Sequence, residues 1–142
     1  MPTTSEPARR SLRLGPPDEP AVAARCRDFC RAALADLGWP EGPSRAERDR
    51  AVEDVLLVVS EAVTNACRHA GGPTELVVRC VRAGGVRVEV TDHSSRVPRA
   101  CPPGAPGSPG GHGLAVITRL TRAWGTLPRA GGKCVWMEIG EP

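Results

Sequence analysis

Three polar side chains recur at four-residue intervals near the middle of the chain. Glu61, Asn65 and His69 all lie within residues 60–70. Four residues advance an α-helix by roughly 400°, so these side chains line one slowly drifting helix face. The apolar stripe of the same helix lies beside that face, so this row of polar groups is a candidate wall of a site. The spacing alone favours an ordinary solvated helix face.

Two further signals follow along the chain. Asp92 ends an apolar, alternating segment, where carboxylates also commonly form turns. Gly111, His112, Gly113 and Leu114 stand at the start of a predicted helix. Glycines let the backbone approach an anion closely, and free amides at a helix start point towards it. A flexible joint before a helix would explain the same glycines, so neither signal is specific alone.

Hydrophobic periodicity predicts the elements that would position these residues. The predicted strands cover residues 10–14, 75–82, 86–91, 123–127 and 133–139. The predicted helices cover residues 19–37 with Asp18 as N-cap, residues 44 to about 70 behind a Ser44–Glu47 capping box, and a third segment from about Gly113. This order predicts an α+β two-layer sandwich, with a mixed, mostly antiparallel sheet and helices on one face.

The domain organisation is simple. Residues 1–9 are expected to form a flexible tail, and residues 10–140 a single domain. Residues 96–111 are rich in Pro and Gly, without any period. Because ordinary connections take about 2–6 residues, this segment is predicted to be a mobile lid beside the two later signals.

Composition excludes several classes of function. The net charge of +3 is spread along the chain with few aromatic residues, so no nucleic-acid surface is expected. Every basic residue except Lys133 is Arg, as a high-GC genome would produce. No stretch approaches the ~20 apolar residues of a membrane helix, and the N-terminus lacks the apolar run of a signal peptide. A cytoplasmic protein without direct membrane contact is expected.

The six cysteines raise a metal or redox hypothesis. None of them has the C-x-x-C spacing of common metal sites. The nearest pair, Cys26 and Cys30, lies on the apolar stripe of the first predicted helix. This placement favours a core role, and a Cys-based metal or redox sensor remains as an alternative.

Taken in order, the signals resemble the sequence boxes of the GHKL (Bergerat-fold) ATP-binding domains. The matching residues are Glu61, Asn65 and His69, then Asp92, then Gly111, His112, Gly113 and Leu114, and finally residues 131–136, which include Lys133. The match spans about residues 10–138. Within this superfamily of histidine kinase-like ATPases, the short form resembles the anti-sigma-factor serine kinases.

The resemblance implies a role for each box. Asn65 would bind Mg²⁺, and Glu61 would orient or deprotonate the attacking hydroxyl or water. His69, Leu114 and the glycines at 111 and 113 would belong to the ATP site, with the two glycine backbones at the phosphates. Asp92 would accept a hydrogen bond from the adenine amino group and so select adenine over guanine. Lys133 could reach a phosphate, although a solvent-exposed Lys is the favoured interpretation.

The sequence also departs from the family pattern. His93, Ser94 and Ser95 follow Asp92, where Gly-x-Gly is frequent. His112 replaces a frequent Arg, so a fixed positive charge becomes dependent on pH. Cys134 lies near the position of a Thr or Ser that often helps to bind adenine. Loss of the glycines would stiffen the adenine pocket or weaken nucleotide affinity. ATP binding is still expected, whereas fast phosphate transfer is expected less.

The function implied by the resemblance is that of an ATP-binding transcription regulator. It would be an anti-sigma factor with serine/threonine protein kinase activity, using ATP and Mg²⁺. Its partners would be a sigma factor or another transcription regulator and an anti-sigma-factor antagonist protein, and a homodimer is possible. The alternative is a nucleotide-gated binding module without kinase activity.

Overall fold

The computed structural model describes residues 8–15, 21–69, 71–81, 84–94 and 111–142. Within these ranges the helices are α1 (Val22–Asp36), α2 (Arg45–His69) and α3 (Gly111–Leu120). The strands are β1 (Arg9–Arg13), β2 (Pro73–Cys80), β3 (Val86–Asp92), β4 (Ala123–Arg129) and β5 (Gly132–Ile139). The predicted tail and lid fall largely outside the described residues.

The strands form one five-stranded sheet in the order β1-β2-β3-β5-β4. All four pairings are antiparallel. The α+β class is confirmed, but the predicted mixed sheet has no parallel pair among the described strands. The reason is topological. β3 and β4 run in the same direction on either side of α3, but β5 folds back from β4 and inserts between them. The crossover through α3 therefore creates no parallel neighbours.

The hydrophobic core lies between one face of the sheet and the helices. Val86, Val88 and Val90 alternate onto this face, as predicted from their period of two. The core residues from the neighbouring strands and from the helices are Leu76, Val78, Val135, Met137, Ile139, Val55, Val59, Val63, Leu34 and Ile117. α1 and α3 both pack against α2, so the helices form a second layer.

The two cysteines of α1 belong to this core. Cys26 and Cys30 are both 0% exposed, which confirms their predicted core role. Burial raises the pKa of the Cys30 thiol to about 12, with a smaller contribution from neighbouring Cys26. Because both side chains are fully buried in the core, neither thiol is available at the surface.

The helix ends agree in part with the sequence signals. α2 begins as predicted, with the backbone N–H of Glu47 donating to Ser44 Oγ at 3.1 Å. α1 ends before Gly38, whose φ of 68° suits a helix stop. At its start, however, α1 begins at Val22 with Ala21 as N-cap and no side-chain cap. Asp18, the predicted cap, lies outside the described residues.

Candidate functional site

The strand register brings the end of α2 to the end of β3. β2 begins at Pro73, only a short turn after His69, and Pro73 is the cross-strand partner of Asp92. Asp92 also pairs with Lys133 at the start of β5. The carboxyl ends of α2 and β3 and the amino end of β5 therefore lie at one edge of the domain.

The same register places the start of α3 at this edge. β4 begins at Ala123, which pairs with Glu138 near the opposite end of β5. Since α3 ends at Leu120, its last turn lies at that opposite end and its first turn lies at the Asp92 edge. Leu114 and Ile117, which are 3% and 1% exposed, bury one side of the helix and fix its position.

Glu61 and Asn65 lie one turn apart on the C-terminal half of α2. Both side chains are half-buried, while Ala62, Val63 and Ala66 on the adjacent face are buried in the core. The polar pair therefore borders the core rather than projecting fully into water. This placement fits the wall of a site better than it fits a freely solvated face.

The expectation for Lys133 is wrong. Lys133 is 7% exposed, and its Nζ lies 3.0 and 2.9 Å from Oδ1 and Oδ2 of Asp92, which is 3% exposed. A third, longer contact of 3.4 Å joins Nζ to the Ser94 carbonyl oxygen. The side chain faces inward because residues two apart on a strand share a face, and position 133 shares the helix side of the sheet with the buried Val135 and Met137.

The backbone after β3 folds back onto Asp92. The Ser94 N–H donates to Asp92 Oδ1 at 2.8 Å, a local turn of the kind that Asp favours. Gly132 closes the other side, since a Cβ there would overlap the Asp92 carbonyl oxygen. The Asp92 side chain is consequently held from its own strand end and from β5.

The remaining predicted site residues are placed by backbone alone. His69 is the last residue of α2, and Gly111, His112 and Gly113 form the first turn of α3. Their side-chain surroundings lie outside the described part of the chain. The topology thus brings all of the predicted boxes to one edge, and direct contact is established for Asp92 and Lys133.

The Cys-based alternative gains no support from the described residues. No group of three or more His, Cys, Asp or Glu side chains there could hold a metal ion. Burial also raises the pKa of Cys134, with a smaller contribution from the nearby Glu89 carboxylate. Within the same described residues, no helix is both long enough and apolar enough to cross a membrane.

The comparison with known proteins identifies the family. Residues 17–139 match the histidine kinase-like ATPase domains. The chain therefore belongs to this family, whose ATPase domains bind ATP. No match was found among curated proteins.

Two solved structures share the fold. The structure of the RsbU and RsbW domains of Rv1364c from Mycobacterium tuberculosis matches with a TM-score of 0.66 and 19% identity, over 94% of this chain and 32% of that chain. The histidine kinase domain of the blue-light activated histidine kinase from Erythrobacter litoralis EL346 matches with a TM-score of 0.51 and 18% identity, over 92% of this chain and 64% of that one. The chain thus spans about a third of the first protein and less than two thirds of the second.

Sequence reasoning missed the contacts that hold Asp92. The roles of Gly132 and of the Lys133 ammonium group depend on pairing between β3 and β5, whereas the Ser94 N–H contact is a local turn. One signal was available, because Lys133 is the single Lys in a chain that otherwise uses Arg. A lone ammonium group among guanidinium groups is a reason to ask what a compact cation does there.

Proposed function

We propose that this ATP-binding domain is a regulatory serine/threonine protein kinase of the anti-sigma-factor type. It would phosphorylate an antagonist protein and bind a sigma factor or another transcription regulator. The observation that carries the proposal is the convergence of Glu61 and Asn65, the Asp92 end of β3 and the first turn of α3 at one edge of the domain.

The residues at this edge fit the chemistry of Mg-ATP. Mg²⁺ prefers oxygen ligands and retains several waters, so the half-buried Asn65 amide oxygen can serve as one ligand without a protein cage. The backbone amides of the first turn of α3 suit the phosphates. Asp92 supplies a buried acceptor for the amino group of adenine.

Glu61 is the proposed general base. Bound Mg²⁺ would neutralise charge on the phosphates, and Glu61 accepts the proton of a seryl or threonyl hydroxyl on the antagonist. The hydroxyl oxygen then bonds to the terminal phosphorus, while the bond from that phosphorus to the bridging oxygen breaks and ADP is released. Such a base typically contributes about 10²–10⁴-fold to the rate.

The partners are proposed from the likeness to the RsbU- and RsbW-containing structure. That structure aligns with almost the whole of this chain, which shows a shared fold at low identity. A regulator and its antagonist are therefore the partners to seek by co-purification from the native cell. A homodimer is part of the same proposal and can be measured by light scattering.

A paired substitution on α2 tests the proposal. Asn65→Ala removes the proposed metal ligand, so it should weaken Mg-ATP binding and abolish transfer. Glu61→Ala should leave nucleotide binding nearly intact and slow transfer to the co-purified antagonist by about 10²-fold or more. Glu53→Ala is the matched control, because Glu53 is an exposed carboxylate on the N-terminal half of the same helix. Normal Mg-ATP binding by Asn65→Ala would refute the metal-ligand assignment.

The second candidate is a nucleotide-gated binding module without transfer activity. His93 and Ser94 after Asp92, and Cys134 in β5, favour this candidate because they replace residues frequent in the resembling kinases. The two functions differ in one result. If the wild-type protein binds ATP and its partners but transfers no phosphate to the antagonist, the binding module is correct.

A further inference from the structure

The acceptor capacity of the Asp92 carboxylate is almost filled by the protein itself. An ionised carboxylate has about four lone-pair positions. Oδ1 accepts from both the Lys133 Nζ and the Ser94 N–H, whereas among the described residues Oδ2 accepts from Lys133 alone. One acceptor position on Oδ2 therefore remains for a ligand.

The Lys133 ammonium group, by contrast, has all of its hydrogen-bond donors engaged. Its three hydrogens match three acceptors, namely the two Asp92 oxygens and the Ser94 carbonyl oxygen. No donor is then left for a phosphate, and the side chain is 7% exposed. The geometry directs Lys133 towards Asp92 and away from the phosphate role suggested by its sequence box.

The choice of Lys at this position is specific. Every other basic residue of the chain is Arg. A planar guanidinium group is wide and hydrogen-bonds in a fixed fork, whereas an ammonium group is compact and directs three hydrogens to separate acceptors. The buried position between β3 and β5 has three such acceptors, which favours Lys there, although a guanidinium group could still pair with the two Asp92 oxygens through its fork.

We propose that Lys133 is a positioning residue for base recognition, holding the Asp92 carboxylate so that its Oδ2 can accept the exocyclic amino group of a bound adenine. This rests on the proposed nucleotide-binding function and adds a base-specificity role outside the phosphate site. Without Lys133, the carboxylate keeps only the Ser94 N–H of its three described hydrogen bonds. Its orientation is then no longer fixed, and recognition of the amino group is lost.

The test compares two nucleotides that differ only at the amino group. ATP and purine riboside triphosphate, which lacks that group, compete with a fluorescent nucleotide for the wild-type protein, Lys133→Met and Arg129→Met. Arg129 is the matched control because it lies on β4, the other strand of the same hairpin, and its side chain is 47% exposed. Wild type and Arg129→Met should prefer ATP by about tenfold, the value of one buried hydrogen bond. Lys133→Met should retain less than a threefold preference.

The possible contrary results are distinct. An unchanged preference in folded Lys133→Met overturns the inference, because a merely structural residue would weaken both nucleotides equally. Tighter ATP binding by this variant also overturns it, since the ammonium group would then compete with adenine. If wild type binds both nucleotides equally, Asp92 does not recognise the adenine amino group, and the inference is wrong. The proposed binding of a nucleoside triphosphate would still be supported. If wild type binds neither nucleotide, the proposed function fails and this inference fails with it.

A second variant covers the case in which Lys133→Met does not fold. Lys133→Arg keeps a cation with hydrogen-bond donors for the Asp92 oxygens. It should retain an ATP preference within threefold of wild type. A folded Lys133→Arg protein without any preference for ATP overturns the positioning role.

Discussion

Replacing Lys133 by Met should destabilise the fold much more than replacing an exposed basic residue. Met keeps most of the aliphatic stem and removes the charge, so the loss reports mainly on the ion pair. The side chains of Lys133 and Asp92 are 9% and 3% exposed, and removing one partner of a buried pair costs about 3–5 kcal/mol. For a domain of this size that corresponds to roughly 10 °C or more in Tm.

The matched control is Arg31→Met. Arg31 pairs with Glu53 at 3.2 Å, but the two side chains are 59% and 63% exposed. Water already solvates such a pair, so the expected loss is below about 1 kcal/mol. Both variants lose one ion pair, so the difference between their losses of stability reports the effect of burial.

The measurement is urea unfolding followed by tryptophan fluorescence, with Trp39, Trp124 and Trp136 as natural probes. Unchanged slopes with a lowered midpoint would show a loss of stability without a change in the exposed surface. Asp92→Asn combined with Lys133→Met should be more stable than Lys133→Met alone, because no unpaired charge remains. If Lys133→Met falls within 1 kcal/mol of Arg31→Met, the burial argument is refuted.

Three further predictions follow from other contacts. Gly132→Ala should destabilise the fold more than Gly131→Ala in the same urea assay. The Cβ at position 132 would overlap the Asp92 carbonyl oxygen, whereas the Cβ at position 131 meets nothing within 4 Å and costs only the strain of a φ of 76°, about 1–2 kcal/mol. An equal loss would contradict the close approach. Ser44→Ala should cost about 1 kcal/mol through the lost cap of α2, and Ser44→Asn should restore most of it. Burial raises the pKa of the Cys30 thiol from 9.0 to about 12 in the folded protein. As the pH rises above 9.0, the thiol of the unfolded chain ionises before that of the folded protein, so the free energy of unfolding falls. Cys30→Ala should lose less stability over that range, and a parallel loss in both proteins would refute this linkage.

Local signals predicted the parts of the fold that local physics determines. The Ser44 cap and the apolar stripe of α2 identified the longest helix, and Gly38 marked the end of α1. The alternation of Val86, Val88 and Val90 identified β3 and its buried face. In each case the deciding interaction lies within a few residues along the chain, so the sequence pattern records it directly.

The parts that were missed depend on contacts between distant segments. The insertion of β5 between β3 and β4 cannot be read from any single segment, yet it removes the expected parallel pair. The same insertion places Lys133 opposite Asp92, 41 positions earlier in the chain, and buries a side chain expected to be exposed. Pairing partners in a sheet are set by competition among all strands, which a period of two cannot resolve.

Two groups hold the Asp92 carboxylate at the proposed base end of the candidate site. The Ser94 N–H donates to Asp92 Oδ1, and this contact needs no side chain, so it does not depend on the residue type at position 94. From β5, the Lys133 ammonium group donates hydrogen bonds to both oxygens of the same carboxylate. A backbone N–H and one ammonium group therefore fix the Asp92 carboxylate, and under the proposed function both lie at the base end of the nucleotide, away from the transferred phosphate. The choice between the proposed kinase and the proposed binding module is consequently tested on α2, where the Glu61→Ala and Asn65→Ala variants remove the proposed base and the proposed metal ligand.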